Sequence, residues 1–149
     1  MPAEKGDAFP GNMFVLKLGG KESVGQFREV SGLDSETDVV EQKTTDARGL
    51  ISIKKVPGAT KWSNITLKRG IDSTMDMWKW REIVVQQGAP QARVDGEITL
   101  VDWTGTNVAK WTFLQGWPIK YSGATLNSGG NEAAVEEIQI AHEGLKREM

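Results

Sequence analysis

The sequence predicts a mainly β protein, an antiparallel β-barrel or two-sheet sandwich with one flanking α-helix. Short runs of alternating apolar and polar residues recur at a regular spacing with turn residues between them, a pattern typical of antiparallel sandwiches and small barrels. Only one segment, at about residues 73–87, has a convincing helical pattern. A single helix rich in aromatic residues must then lie on a sheet or over an opening.

The helix follows a strand that begins near Asn64 and ends at Gly70. Within this strand the apolar residues alternate with polar ones, so that they share one face. Asp72 or Ser73 can cap the helix by accepting a backbone N–H, and Gly88 followed by Pro90 ends it. The helix carries a large apolar set: Met75, Met77, Trp78, Trp80, Ile83, Val84 and Val85.

The six tryptophans allow two interpretations. They could line a ligand cleft, as in proteins that bind sugars or oligonucleotides, or they could pack the helix against the sheet. The pattern favours packing. The residues expected to form this helix-to-sheet packing are Trp78, Val84, Val85, Trp111 and Trp117.

Further strands are expected on both sides of the helix. Before it, the alternation predicts strands at Asn12–Leu18 and Val24–Val30. After it, strands at Arg93–Trp103 and Val108–Gln115 form a hairpin, and Gly116-Trp117-Pro118 bends the chain, because proline cannot donate to a central ladder.

The last part of the chain is less clear. Asn127–Asn131 has the composition of a flexible loop. In the segment Ala133–Met149, the spacing of Val135, Ile138 and Leu145 fits a helix, whereas Ile138 and Ile140 alternate as in a strand. The pattern alone slightly favours a helix here.

A long hairpin arm is expected at about residues 37–58. Its strands are Thr37–Gln42 and Leu50–Val56, and Pro57-Gly58 is a turn signal. The arm has few apolar residues, and a two-stranded hairpin is marginally stable alone in water. It therefore either folds back on the body or is covered by a neighbouring molecule. The arm residues expected at a subunit interface are Lys43, Arg48, Leu50, Ile51, Ile53, Lys55 and Val56.

The residues give little support for catalysis. The chain has one histidine, His142, and no cysteine, so a catalytic triad would depend on that histidine and a conventional zinc site cannot form. Asp34, Glu36 and Asp38 alternate as in a calcium loop, but glycine and glutamate are missing from the later positions. Pairs such as Lys68-Arg69 fit solvated or interface surfaces. We expect no cofactor, metal site or enzymatic activity.

Length and charge limit the remaining possibilities. The 149 residues suggest one domain over 1–149, with residues 1–10 as a loose lead-in. The net charge of -2 gives no bulk attraction to nucleic acid or to an anionic membrane. Since neither a signal peptide nor a membrane-spanning run is evident, we expect synthesis in the cytoplasm without a signal peptide.

Several stretches together resemble the tail tube proteins of contractile phages and of phage-tail-like contractile injection systems. They occur in the family's order and cover most of residues 12–145: Phe27–Leu33, Pro57-Gly58, Asn64–Gly70, Trp78-Lys79-Trp80, Gly116-Trp117-Pro118 and Ala141–Leu145. The resemblance implies a strand through Ala133–His142, against the helical stripe. It also implies that the arm reaches a neighbouring subunit or ring.

The resemblance further implies a structural role. Members of this family form hexameric rings that stack into a hollow tube, which a contracting sheath drives through a target envelope. The implied partners are further copies of the chain, the sheath protein, baseplate or hub proteins, a tube terminator, and lumen cargo or a tape-measure protein. The implied destination is a virion tail or a phage-tail-like particle.

Other functions stay open on the residues alone. A baseplate-proximal tube paralogue or a type VI-like secretion tube protein would share the same fold. A monomeric Trp-rich barrel that binds a ligand would instead show a fluorescence response to that ligand. An enzyme would have to depend on His142.

Overall fold

A computed structural model describes residues 13–20, 25–71, 75–123 and 134–148. In these ranges the chain is mainly β, with antiparallel strand pairs throughout. The elements are β1 Met13–Leu18, β2 Gly25–Phe27, β3 Glu29–Ser31, β4 Ser35–Thr45, β5 Ile51–Trp62, β6 Ile65–Gly70, α1 Asp76–Gln87, α2 Ala89–Ala92, β7 Val94–Val101, β8 Asn107–Ser122, β9 Val135–Ala141 and β10 Gly144–Arg147.

The body consists of two sheets that share one strand, which confirms the predicted two-sheet β architecture. The first sheet has the order β2-β1-β7-β8, with β10 also paired to β8, and the second has the order β8-β9-β6-β3. The first half of β8 pairs with β7, and its second half pairs with β9. The two sheets are therefore continuous through β8.

The predicted single strand at Val24–Val30 is two strands in the structure. Gly25–Phe27 pairs with β1, whereas Glu29–Ser31 pairs with β6. Only Arg28 lies between them, and its N–H donates to the carbonyl oxygen of Lys68 at 3.1 Å. The two outermost strands of the sheet path are thus consecutive in the chain, so the two sheets also meet on the side away from β8.

A backbone irregularity lets β8 serve both sheets. Gln115 has a positive φ of 52°, and its N–H donates to a side-chain oxygen of Asp95 at 3.0 Å. The fully buried ring of Phe113 fills the space left by two glycines, since a Cβ on Gly96 or Gly116 would overlap it. The sequence predicted a bend at Gly116-Trp117-Pro118. The strand continues through Pro118, with a positive φ at Gln115 and a further register shift between Pro118 and Lys120, so the chain is irregular on both sides of Gly116-Trp117.

Helix α1 packs onto the core between the sheets. Met77 and Trp80 are buried in the same cluster as the inward residues of the strands, and the Trp80 Nε1–H donates to the carbonyl oxygen of Ala92 at 2.9 Å. The shared core members are Leu16, Leu18, Phe27, Ile65, Leu67, Ile98, Phe113, Ile138 and Ile140. The helix thereby covers the core rather than an outer sheet face.

The helix limits differ slightly from those expected. Helix α1 starts at Asp76 after Met75, which makes no side-chain cap hydrogen bond. The predicted caps Asp72 and Ser73 lie outside the described residues, as does the predicted loop Asn127–Asn131. Gly88 ends α1 with a φ of 95°, as predicted, but Pro90 lies in the first turn of the short helix α2, where its missing N–H costs nothing.

The last segment is a strand, so the helical stripe was a wrong prediction and the resemblance was right. In β9, Glu136, Ile138 and Ile140 are buried and their neighbours are partly exposed, the two-residue period of a strand. Chain reversal at His142 and Glu143 then leads into β10, which pairs with β8. The helical spacing of Val135, Ile138 and Leu145 is coincidental.

The hairpin between β7 and β8 is closed by a compact turn. One carboxylate oxygen of Asp102 accepts from the backbone N–H groups of Thr104 and Thr106 and from the Thr104 hydroxyl. The Thr104 hydroxyl bond is the main reason that the pKa of Asp102 is lowered, and the Thr106 N–H adds to it. Gly105 takes the required positive φ of 86°.

We expect the substitution Gly96→Ala to destabilise the protein by about 1–3 kcal/mol. The added methyl group would overlap the enclosed ring of Phe113, which cannot move without disturbing both sheets. Chemical denaturation followed by tryptophan fluorescence measures the free energy of unfolding. Gly123→Ala is the matched control, because only one side-chain atom lies near its Cβ position, at 3.9 Å. Equal stability of the two variants would contradict the proposed role of Phe113.

Candidate assembly surfaces

The arm, residues 35–62, consists of β4 and β5, which form a separate two-stranded sheet. Both of its outer edges are unpaired in the described part of the chain. Apart from Asp38, Val56 and Trp62, every residue of the two strands is exposed. Eleven residues of β4 reach about 35 Å at a rise of ~3.3 Å per residue. Such a ribbon projects far from the core that stabilises the body.

The tip of the arm is a structured turn. A carboxylate oxygen of Asp46 accepts from the backbone N–H groups of Arg48 and Leu50 at 2.8 and 2.9 Å. Gly49 has a φ of 78°, and its N–H donates to the carbonyl oxygen of Asp46 at 3.0 Å. The turn at Asp102 has the same plan. Because the turn satisfies its own backbone groups, the arm has a defined shape before it meets any partner.

The pairing register divides the predicted interface residues between two faces. Residues directly opposite in an antiparallel pair share a face, and Ile51 and Ile53 lie opposite Thr45 and Lys43. We call the surface formed by these side chains the apolar face of the arm: Val39, Glu41, Lys43, Thr45, Ile51, Ile53, Lys55 and Pro57. Val56 lies on the other face, opposite Val40, and is only partly exposed. The predicted interface residues therefore do not share one face: Ile51 and Ile53 lie on the apolar face, Val56 lies on the opposite face, and Leu50 belongs to the tip.

Pro57-Gly58 is not a turn, which corrects the prediction. Both residues lie within β5, where the register shifts between Thr37 and Val39. A proline is accepted here because one side of β5 is an open edge. The hairpin turn itself, Asp46–Leu50, lies where the predicted strands Thr37–Gln42 and Leu50–Val56 place it.

The outer half of the arm carries unpaired positive charge. Within the described residues Lys43, Arg48, Lys54 and Lys55 form no ion pair, whereas Lys61 near the base lies 3.2 Å from the carboxylate of Asp38. The only acidic residue among positions 42–55 is Asp46, whose carboxylate is used by the turn. The exposed apolar side chains thus lie among free cations.

The base of the arm is held against the body. Gly32 has a φ of 84°, and a side chain there would overlap the backbone of Asn64. His142 Nε2 donates to the carbonyl oxygen of Ser63 at 3.0 Å, and the imidazole ring lies 6.2 Å from the Trp62 ring. The single histidine therefore has a structural position at the arm base.

A buried ion pair lies between β6 and β9. Arg69 and Glu136 face each other across the ladder, are each 4% exposed, and are joined by a hydrogen-bonded ion pair. The Tyr121 hydroxyl donates to the other Glu136 oxygen at 2.5 Å, and the Arg69 guanidinium lies 5.2 Å from the centre of the Phe27 ring. The expectation that Lys68-Arg69 is a solvated pair is wrong for Arg69. The two-residue spacing of Ile65, Leu67 and Arg69 was the sequence signal that could have predicted the burial of Arg69.

The predicted helix-to-sheet residues behave differently from one another. Val84, Trp111 and Trp117 are partly buried against the core. Trp78 is 49% exposed and makes an edge-to-face contact with Tyr121, with 5.3 Å between ring centres. Val85 is 69% exposed and lies outside the packing, which corrects that prediction. The helix therefore leaves an apolar strip on its outer side.

Two kinds of feature are not found among the described residues. They contain no cluster of three or more histidine, cysteine or acidic side chains that could hold a metal ion. Among them, no helix has both the length and the apolar character needed to cross a bilayer.

Comparison with known proteins gives consistent matches. A family model described as T4-like virus tail tube protein gp19 matches residues 10–146. A chain of the sheath–tube complex of the extracellular contractile injection system PVC, in its extended state, is 25% identical with a TM-score of 0.73, covering 91% of this chain and 87% of the other. A chain of the tube terminating cap of the anti-feeding prophage is 27% identical, with the same TM-score and coverage.

Hcp1 from Flavobacterium johnsoniae has a similar fold. Its TM-score is 0.54 at 15% identity, over 91% of this chain and 94% of that chain. A search of curated protein sequences gives no significant match.

We expect Glu136→Gln to reduce the free energy of unfolding by about 3–5 kcal/mol, because it leaves the buried Arg69 charge without its partner. The neighbouring substitution Glu137→Gln is the matched control. Glu137 faces Lys68 at 3.9 Å in a longer, partly exposed pair, so we expect a change below about 1 kcal/mol. Urea denaturation of both variants measures the difference. A Glu136 effect as small as that of Glu137 would show that the pair is not isolated from water.

We expect an unusually high pKa for Tyr121, the only tyrosine in the chain. Burial of the hydroxyl, followed by its bond to Glu136, raises this pKa from 10.0 to about 12. The folded state then binds this proton more tightly than the unfolded state, so stability is lost as the pH rises from 10.0 to about 12. Phenolate absorbance titration gives the pKa. The Tyr121→Phe variant should lack this part of the alkaline loss of stability. A Tyr121 pKa near 10.0 in the parent protein would contradict the burial of its hydroxyl.

Proposed function

Because the chain belongs to the family of T4-like virus tail tube proteins (gp19), we propose that its copies form six-membered rings that stack into the rigid inner tube of a contractile system. The chain is a structural tube subunit. The main support is the match over residues 10–146, together with 25–27% identity to chains of sheath–tube and tube-terminator assemblies.

The proposed partners follow from this role. They are further copies of the chain, a contractile sheath around the tube, a baseplate or hub at one end, a terminator at the other, and cargo or a tape-measure protein in the lumen. The proposed setting is a virion tail or a phage-tail-like particle. We also propose that the subunit is not an enzyme, since moving a rigid conduit through an envelope requires mechanical strength and no bond chemistry.

The arm fits this role because its exposed surface needs a partner. Its two open edges and its apolar face would otherwise promote uncontrolled pairing between free molecules. A neighbouring subunit that covers Ile51 and Ile53 removes that surface from water. Heterologous contacts of this kind close a ring when the rotation permits and extend a filament when it does not. Several modest contacts per subunit then hold the lattice together.

Electron microscopy of the purified chain tests the tube directly. We expect rings with a central hole or stacks of such rings, and mass determination gives the number of subunits. When sheath and baseplate proteins are added, the fraction in tubes should rise, because a nucleus lowers the barrier to assembly. A chain that stays monomeric in the presence of these proteins would contradict the proposed function.

We expect a shortened arm to abolish assembly without unfolding the subunit. Removing residues 42–45 and 51–54 deletes four opposing pairs and keeps the Asp46–Leu50 turn. Because an even number of residues is removed from each strand, the remaining side chains keep their original faces. Electron microscopy should then show no tubes, while tryptophan fluorescence and the unfolding midpoint of the body remain close to those of the parent.

The control keeps the arm length and changes the other face. Gln42 lies opposite Lys54 on the face away from the apolar face, so the Gln42→Ala variant should assemble normally. Normal tubes from the shortened chain would show that the arm has no part in assembly.

A further inference from the structure

Helix α1 carries an open groove on its outer side. The groove has a volume of about 280 Å³ and is lined by Trp78, Arg81, Glu82, Val85 and Gln86; we call it the α1 groove. Trp78, Glu82 and Val85 are spaced at i, i+4 and i+7, so they share one side of the helix. Met77 and Trp80 occupy the buried side. The groove is therefore part of the solvent-facing surface of a well-anchored helix.

The walls of the α1 groove are held by contacts with β8 and carry one guanidinium, Arg81, and one carboxylate, Glu82. Tyr121 holds the Trp78 ring edge-on from the neighbouring strand. Arg81 donates to the carbonyl oxygen of Pro118 at 3.0 Å, so its guanidinium is turned toward the body. The Glu82 carboxylate accepts from Gln86 at 2.8 Å and forms no ion pair within the described residues. The groove thus presents two apolar side chains with a carboxylate between them.

The apolar face of the arm has the complementary arrangement. Ile51 and Ile53, which are 71% and 57% exposed, lie about 7 Å apart along β5. Lys43 lies opposite Ile53, and Lys55 follows two residues later on the same face, opposite Glu41. In the described structure neither lysine is within ion-pair distance of a carboxylate. With two lysines against one Glu41, this face has a net positive charge, so its two apolar side chains and its lysines can meet the two apolar walls and Glu82 of the groove, where Arg81 is held at the Pro118 carbonyl.

We propose that the apolar face of the arm of one copy binds in the α1 groove of another copy. Ile51 and Ile53 pack against Trp78 and Val85, and Lys43 or Lys55 pairs with Glu82. This proposal rests on the proposed tube function, and it names the surface that receives the arm. The contact is between copies because, in the described chain, the arm makes no extensive contact with its own α1.

Engineered cysteines test the contact, since the chain contains no cysteine. Ile53→Cys and Val85→Cys are made separately, mixed, assembled and oxidised. We expect a disulfide-linked dimer only in the mixture, because the two cysteines come from different copies and must approach within about 7 Å between Cα atoms. In the control, Leu114→Cys is used in place of Val85→Cys. Leu114 is also exposed but lies on β8, so this mixture should give no linked dimer.

Charge exchange gives a second readout. Lys43→Glu combined with Lys55→Glu should lower the assembled fraction at least about tenfold, because like charges then face each other at Glu82. Adding Glu82→Lys to the same chain should restore assembly. Glu97→Lys is the control for the restoring change, since Glu97 lies away from the α1 groove and contacts Lys110 at 3.3 Å.

The outcomes separate this inference from the proposed function. Normal tubes without a disulfide between the Ile53→Cys and Val85→Cys copies, and without charge rescue, would overturn the arm-to-groove contact and leave the tube function intact. A link from Val85→Cys to the sheath protein alone would also overturn it, since the sheath would then occupy the groove. Failure of the unsubstituted chain to form rings or tubes with its partners would count against the tube function itself.

Discussion

The body of this protein depends on one strand, β8, pairing with three others. It pairs with β7 and β10 through its first half and with β9 through its second half. This is possible because Gln115 adopts a positive φ and because Gly96 and Gly116 leave room for the Phe113 ring. Without that irregularity the sixteen residues of β8 would continue in one direction. The second half of β8 would then not turn toward β9, and the two sheets would not share this strand.

The same core also contains charge. Arg69 and Glu136 lie on the inward side of β6 and β9, where their neighbours are isoleucine and leucine. A buried pair of this kind adds little net stability, because the desolvation cost offsets the attraction. It does make the register between β6 and β9 specific, since a slip of one strand by one residue would move its charge to the other face and leave the partner charge buried alone. The Tyr121 hydroxyl and the Phe27 ring supply further contacts that an apolar residue would not need.

Much of the fold was predictable from residue periodicity. The mainly β class, the helix that ends at Gly88, the β7–β8 hairpin and the existence of the arm all follow from local patterns. The failures have physical causes. Pro57 suggests a turn only until the open edge of β5 is known, and the C-terminal helical stripe disappears once Ile138 and Ile140 find strand partners in β6 and β8.

The candidate surfaces were less predictable. Exposure of Val85 depends on which side of α1 meets the core, and the division of the arm residues depends on the register set by the Asp46–Leu50 turn. Neither is encoded in a local pattern. Burial of Arg69 was available from its alternation with Ile65 and Leu67, but the Lys68-Arg69 pair was interpreted as part of a solvated or interface surface.

The ladder of the arm also has a mechanical consequence. When the base is fixed at Ser63 and His142 and a neighbour holds the tip, axial tension pulls both strands in the same direction. The hydrogen bonds between β4 and β5 lie perpendicular to that tension, so two covalent backbones share the load and the ladder is not sheared. An arm held at both ends in this way would resist stretching along its length.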